Sequence, residues 1–369
     1  MNRLIIIGNG FDLAHGLKTR YSDFMLDYLK RALLKANEAG ISNSFFYRDE
    51  LISLSKTSNY IYSISEENIS IIKDQKTVAD FFHVMKDNHY YFKPLSGFIE
   101  KLINHNSEFN WVDIENLFHK ELLLILNDYH SDFKREDAVK KLKKLNKEME
   151  FLKAKLVEYF TEIEDEFKLN ITASESIRMF EVFKQRAVKK DMFGSHVIKV
   201  LNFNYTNIAS SYCKELESNF KIDEIPLHGK LSNLESIVFG FGDEVHKSYQ
   251  EMEDLDENLF FKHIKSFKYF QNKHYQDLMA FLESGQFEVF VLGHSLGLSD
   301  RTMLQAIFNS SHLEKVQLFY YEKDGKNNFV EMTHQLSRHF TDKNRMRTKV
   351  VPFSKSEPLP QFPTPPENP

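Results

Sequence analysis

Two residues in this chain of 369 carry chemistry that a fold would have to bring together: His228, followed by Gly229, and Asn204, in the run Asn204-Tyr205-Thr206-Asn207. An imidazole accepts a proton near neutral pH, a charge change that no other unperturbed side chain offers. A carboxamide just past a strand holds a ribose or orients a water. Each has a plainer alternative. Asn204 also suits an Asx turn or a helix cap, and one histidine among fifteen is more often structural. Two glycine-bearing corners could supply an anion site: Gly8-Asn9-Gly10-Phe11-Asp12, after an apolar run at residues 4–7, and Gly293-His294-Ser295, after the run FEVFVL, with Asp300 beyond it. Glycine lets the backbone approach a ligand closely, and the helix after such a turn aims free N–H groups and its positive end at phosphate. The first corner also reads as a plain strand–turn–helix with Asp12 as N-cap.

These residues need elements to position them. Residues 4–7 form a buried strand running into a turn and a helix. Residues 22–193 are strand-poor and read as helices at 21–37, within 81–104, and at 111–128 and 134–168, with residues 43–70 as loops. In the last helix Ala138, Leu142, Leu145, Met149, Leu152, Leu156, Tyr159 and Ile163 alternate spacings of four and three. Such a stripe packs along another helix, in this chain or in a second copy. From residue 194 strands alternate with helices: strands at 196–203, 224–227, 236–239, 287–292, 315–321 and 347–351, and helices from 208, at 258–283, after Asp300 and at 328–340. That alternation predicts an α/β fold, a parallel sheet with helices on both faces, interrupted by a large helical insertion. The expected division is a core of residues 1–21 and 194–353, an insertion of 22–193, and a proline-rich, extended and mobile tail of 354–369. Ligands in such sheets sit beyond the carboxyl ends of the strands, where the three polar signatures fall.

Composition narrows the class. A net charge of −5 exerts no pull toward nucleic acid or anionic membrane. The single cysteine, Cys213, excludes a disulfide framework and any cysteine-rich zinc module and points to a reducing, cytoplasmic setting. No signal peptide opens the chain and no run is apolar over the length of a membrane span. In Trp111-Val112-Asp113-Ile114-Glu115 the acids read as first-turn residues of a helix, with a catalytic Glu115 as the alternative.

The glycine spacing carries a resemblance. A G-x-G-x-x-G fingerprint would need glycine where Leu13 stands. Gly8-Asn9-Gly10-Phe11-Asp12 followed by Gly16-Leu17 instead resembles the sirtuin-like NAD-binding superfamily, whose G-A-G-x-S precedes G-I-P-D-F-R. Asp12 replaces the usual Ser, and no Pro follows Leu17. Asn204-Tyr205 resembles the Asn-Tyr of T-T-N-Y-D, with Thr206 where an Asp is expected, and His228-Gly229 resembles the superfamily's catalytic His-Gly. Gly293-His294-Ser295-Leu296-Gly297 with Asp300 is similar to the G-Y-S-L-G-D segment of bacterial sirtuin-like defence proteins. The resemblance implies a Rossmann-like core and NAD as substrate or ligand, with no metal. Asn204 and His228 would be catalytic, and Gly8, Asn9, Gly10, Asp12, His15, Thr206, Gly293, His294, Ser295 and Asp300 would line the nucleotide. The reaction implied is cleavage of the bond to nicotinamide through an oxocarbenium-like state. The zinc-binding cysteines of protein deacetylases are missing, which argues against protein deacylation.

A closer resemblance covers most of the chain. Residues 6–24 match I-I-G-N-G-F-D-L-A-H-G-L-x-T-x-Y-x-D-F, the hallmark of the AbiH family of bacterial phage abortive-infection proteins. The W-x-D-I-E segment, Phe203-Asn204-Tyr205-Thr206 and His228-Gly229 fit the same family. It implies a cytosolic defence role set off by a phage-derived trigger, with self-association through the helical insertion as a possible partner mode. Two other readings stand beside NAD cleavage. Asp12, His15, Glu115, Asp243 and His246 could converge on a divalent ion in a nuclease, although no compact H-E-x-x-H motif occurs. A nucleotide sensor acting through the helical stripe would bind without turnover.

Overall fold

Runs that are apolar at every position become strands whose two faces are both covered. The computed structural model describes residues 1–40, 46–56, 66–106, 111–167, 169–170, 173–185, 196–242 and 247–362. Its strands of three residues or more, in chain order, are β1 (Asn2–Ile7), β2 (Phe46–Arg48), β3 (Ile52–Lys56), β4 (Tyr90–Pro94), β5 (Val197–Asn202), β6 (Lys221–Pro226), β7 (Phe287–Leu292) and β8 (Leu313–Phe319). Five of them form one parallel sheet in the order β6-β5-β1-β7-β8. The chain builds outward from β1 through β5 to β6, then returns to the other side of β1 for β7 and β8. The order therefore reverses between β1 and β7, and open sheets of this kind bind ligands beyond the strand ends at such a switch.

Two chain units are compact: residues 1–18, 160–249 and 264–369, and residues 19–159 with 250–263. The first holds the parallel sheet. Successive side chains of a strand point to opposite faces. Leu4 and Ile6 join Leu201, Val289 and Val291 under helices His274–Glu283, Arg301–Asn309 and Phe329–Ser337. Ile5 and Ile7 join Val200, Phe290 and Leu292 under helices Asn9–Ala14, Ser174–Lys184 and Ile208–Leu216. All of β7 is buried, whereas the edge strand β6 alternates exposed and half-buried residues over its first half. Burying one Leu or Ile contributes about 1.5–3 kcal/mol, so this two-faced centre carries much of the unit's stability.

Several expected elements differ. Residues 347–351 are not a strand: helix Lys343–Lys349 ends there, and Val351 meets the sheet through its N–H to the Val316 carbonyl at 2.9 Å. Residues 236–239 are not a strand either; the chain makes a short turn at Leu234–Ser236, and the Val238 N–H then donates to the His228 carbonyl. The single helix expected at 258–283 is three pieces, Asn258–Phe261, Lys265–Tyr269 and His274–Glu283. The break arises because extended Ile264 bridges Phe241 and the Lys265 N–H donates to the Phe241 carbonyl. The tail is packed against the sheet-bearing unit as far as residue 362. Leu359 is buried and its N–H donates to the Tyr320 carbonyl, while the Phe362 N–H donates to the Ala14 carbonyl and its ring stacks on His15. Residues 363–369 lie outside those described.

The second unit contains helices Tyr21–Gly40, Val78–Asp87, Gly97–Asn104 and Trp111–Tyr129, and a three-stranded antiparallel sheet, β2-β3-β4. That sheet was not expected. Left-handed His89 (φ 59°) turns the chain out of helix Val78–Asp87 into β4. The long helix Arg135–Glu166 carries the stripe, and from Ala138 to Tyr159 every stripe residue is buried within this chain. The stripe is therefore consumed by intramolecular packing and is not a face open to a second copy. Asp113 lies in the first turn of Trp111–Tyr129, and the Trp111 indole donates to the Thr19 carbonyl at 2.8 Å. Among the described residues no helix is long and apolar enough to cross a membrane.

Candidate functional site

The glycine corners meet each other. The Gly8 N–H donates to the Leu292 carbonyl and the Gly10 N–H to the Gly293 carbonyl. A Cβ on Gly10 would lie 2.8 Å from Gly293 Cα, and one on left-handed Gly293 (φ 67°) would lie 2.1 Å from the Phe11 nitrogen. The glycines are needed because the β1 and β7 loops touch backbone to backbone, and this contact takes up donors expected to face a ligand. The helix after β1, Asn9–Ala14, is only six residues long. Asn9, Gly10 and Gly293 remain half-buried and Ser295 is exposed, which makes them the rim over these strand ends.

Beneath the rim lies a carboxyl, Asp12. Its Oδ1 accepts from Asn204 Nδ2 at 2.8 Å and its Oδ2 from Thr206 Oγ1 at 2.8 Å. Asn204 Nδ2 also donates to the Gly8 carbonyl at 3.1 Å, and the Asn204 N–H is capped by Asn202 Oδ1. The Asn204 amide hydrogens are thus engaged inside the protein, tying the end of β5 to the end of β1. Burial pushes the Asp12 carboxyl up to about 7, against the Thr206 and Asn204 hydrogen bonds, which pull it down, and with Glu164 adding to the rise. Sequence motifs put Thr206 where an aspartate was expected; here Thr206 donates to a carboxylate supplied from the first corner.

A second buried carboxyl, Asp300, gathers residues from three further segments. Lys265 Nζ donates to its Oδ1 at 2.9 Å, and Ser299 Oγ to its Oδ2 at 3.2 Å. His228 Nε2 sits 3.3 Å from Oδ1 but is not aligned for a hydrogen bond and has no other partner among the described residues. His294 Nε2 lies 3.9 Å from Oδ2. Burial would push the Asp300 carboxyl up, but the Lys265 ammonium beside it outweighs burial and holds Asp300 well below the usual carboxylate range. Burial presses His294 down to about 4, with Asp300 opposing. Its Nδ1 accepts the Leu296 N–H at 2.9 Å, so the neutral ring carries its proton on Nε2, facing Asp300. Left-handed Leu296 (φ 56°) is fixed by that bond and by His339 Nε2 donating to its carbonyl at 2.9 Å. Gly229, left-handed too (φ 88°), lets the chain after His228 pass so close to Ser236 that a Cβ would lie 2.2 Å from its carbonyl oxygen.

The two carboxyl groups belong to one neighbourhood. A Cβ on Gly8 would meet His294 Cα at 2.7 Å, and Phe203 stacks edge-on against both His228 (5.1 Å) and His294 (4.3 Å). Gly8, Gly10, Asp12, Asn204, Thr206, His228, Gly293, His294 and Asp300 are therefore brought together at the strand ends. His15 is not. Its Nδ1 donates to the Phe11 carbonyl at 2.7 Å, so Nε2 of the neutral ring accepts from the Tyr212 hydroxyl at 2.8 Å, and Phe362 covers its face. With both nitrogens occupied and burial pressing it to about 4, His15 is a core residue and no ligand contact. That also removes it from the proposed ion site; Asp243 and His246 lie outside the described residues. Among the described residues no three His, Cys, Asp or Glu side chains are disposed to hold an ion. Lys265 was missed by sequence reasoning, which placed residues 258–283 in one helix without singling it out. Its only signal was Asp300, a carboxylate that needs a cation once buried.

A family model described as bacteriophage abortive infection AbiH matches residues 4–322. No curated protein matches the chain.

Proposed function

The chain belongs to the bacteriophage abortive infection AbiH family, and from that premise we propose that it is an effector that binds a nicotinamide dinucleotide over the carboxyl ends of β1, β5 and β7 and hydrolyses the bond to nicotinamide. The observation that carries this reading is the convergence of an imidazole without a hydrogen-bond partner on Nε2 among the described residues, His228, with two buried carboxyl groups at the switch point of a parallel sheet. NAD and water become ADP-ribose and nicotinamide. The C–N bond to nicotinamide breaks with its electron pair, water attacks the ribosyl carbon, and His228 takes the proton that water releases. Asn9, Gly10 and Ser295 meet the diphosphate and ribose at the rim. Asn204 and Thr206 act through Asp12, which they hold toward the same strand ends. Positioned proton transfer is worth roughly 10²–10⁴ in rate, and the remainder falls to electrostatics in a closed site.

The test follows NAD in infected bacteria and nicotinamide release from the purified chain, each with wild type and His228→Ala. The expected result is a falling NAD pool in infected cells and chelator-insensitive nicotinamide release, both lost in a variant that keeps its unfolding midpoint. An NAD pool that holds while growth stops overturns the reading. Chelator-sensitive loss of nucleic acid would replace it with a nuclease, and tight NAD binding without release with a sensor.

A further inference from the structure

A lysine with a relative exposure of 1% is rare, and Lys265 occupies a telling place. It opens helix Lys265–Tyr269, its N–H is tied to the Phe241 carbonyl, and its stem lies against Gly242, where a Cβ would come within 3.3 Å of Lys265 Cδ. The ammonium reaches Asp300 Oδ1, the same oxygen that His228 Nε2 approaches. Two cationic candidates thus compete for one buried oxygen, and the lysine, at 2.9 Å against 3.3 Å, has it.

We propose that Lys265 is a positioning residue: it serves as the counter-ion of Asp300, so that His228 is not recruited to that role and keeps a ring nitrogen able to accept a proton. A buried carboxylate left without a cation is costly, and the cheapest remedy is to charge the nearest base. His294 is poorly placed to supply that charge, because its Nδ1 already accepts the Leu296 N–H. His339 also has a nitrogen without a partner among the described residues, Nδ1, but it donates from Nε2 to the Leu296 carbonyl and has Arg301 and Arg338 as positive charges that oppose a further one, whereas His228 Nε2 lies against Asp300 Oδ1 itself. Tyr205, 6.2 Å from the His228 ring, offers a phenol hydrogen-bonded to the Val238 carbonyl. His228 is therefore the group that Lys265 protects. The use of that neutral ring in catalysis rests on the function proposed above; the charge assignment does not.

The test is nitrogen NMR of the full chain with ¹⁵N-labelled histidine, the His228 signals being identified by their loss in His228→Gln. In Lys265→Met the protonated-to-neutral ratio of His228 at a fixed pH rises roughly tenfold. In Asp300→Asn it falls, and Lys265→Arg restores the wild-type ratio. An unchanged ratio in folded Lys265→Met overturns the proposal, because Asp300 would then have taken the proton itself. Should that variant not fold, the wild type decides: a doubly protonated His228 ring at pH 8 overturns the assignment, and a neutral ring beside a charged Lys265 supports it. Absence of nicotinamide release from the wild type would sink the glycohydrolase while leaving these ratios untouched.

Discussion

His15 and His228 are both buried in the sheet-bearing unit, yet their surroundings ask opposite things of them. Around His15 every hydrogen-bonding group is matched: Phe11 carbonyl, ring, Tyr212 hydroxyl, with Phe362 as cover. Around His228 the groups are charged and over-subscribed, with Lys265, His228 and His294 turned toward one carboxylate. A satisfied imidazole in an aromatic box is part of the core. An imidazole beside an ion pair, with one nitrogen unmatched among the described residues, still has an atom to offer. Residue type alone does not separate the two; the company does.

The largest effect should come from breaking the charged side. Asp300→Ala strands Lys265 as a buried cation and is expected to cost about 3–5 kcal/mol in denaturant unfolding, whereas Ser295→Ala on the exposed rim changes stability by less than about 0.5 kcal/mol.

Acid tests both regions together. His15 and His294, held at about 4 against an ordinary 6.5, contribute stability that is present above pH 6.5 and lost as pH falls through 4. Asp12 has the opposite sign: raised to about 7, its contribution is full below pH 3.8 and lost as pH rises through 7. By linkage each histidine is worth up to roughly 3 kcal/mol and Asp12 up to roughly 4 kcal/mol. Unfolding midpoints between pH 7 and 4 should therefore fall in the wild type, and fall more steeply in Asp12→Asn, which removes the opposing slope. Ending the chain after residue 360 uncovers His15 and should cost about 1–2 kcal/mol of apolar burial, with the His15 pKa moving up from about 4 in NMR titration. On the His15 side the smaller of the two effects is expected from Tyr212→Phe, about 1 kcal/mol for one hydrogen bond, with the His15 proton staying on Nδ1.

The contrast also marks what could be read from sequence. The strand 287–292 and the helices at 111 and 135 were legible because their apolar pattern is local. The meeting of strand ends was legible wherever glycine or a polar group closed a strand, as at Gly8, Asn204, His228 and Gly293. Lys265 and the Phe241–Ile264 bridge were not, since a buried ion pair is defined by a partner 35 residues away and no local spacing announces it. His15 was misjudged for a related reason. Its hydrogen-bond partner Tyr212 lies 197 residues on, so nothing beside His15 revealed that its nitrogens were already taken. The stripe at 138–159 was read correctly as a packing face, but whether the covering surface came from this chain or another is a question only burial answers.

The strap at Leu359–Phe362 has a practical corollary. Phe362 is bonded to Ala14 and lies on His15, one turn of backbone from Asp12. An affinity handle, protease site or fusion partner spliced on just past it is mechanically joined to the short helix that holds the titrating acid, so a pull at that end is felt where the chemistry would occur.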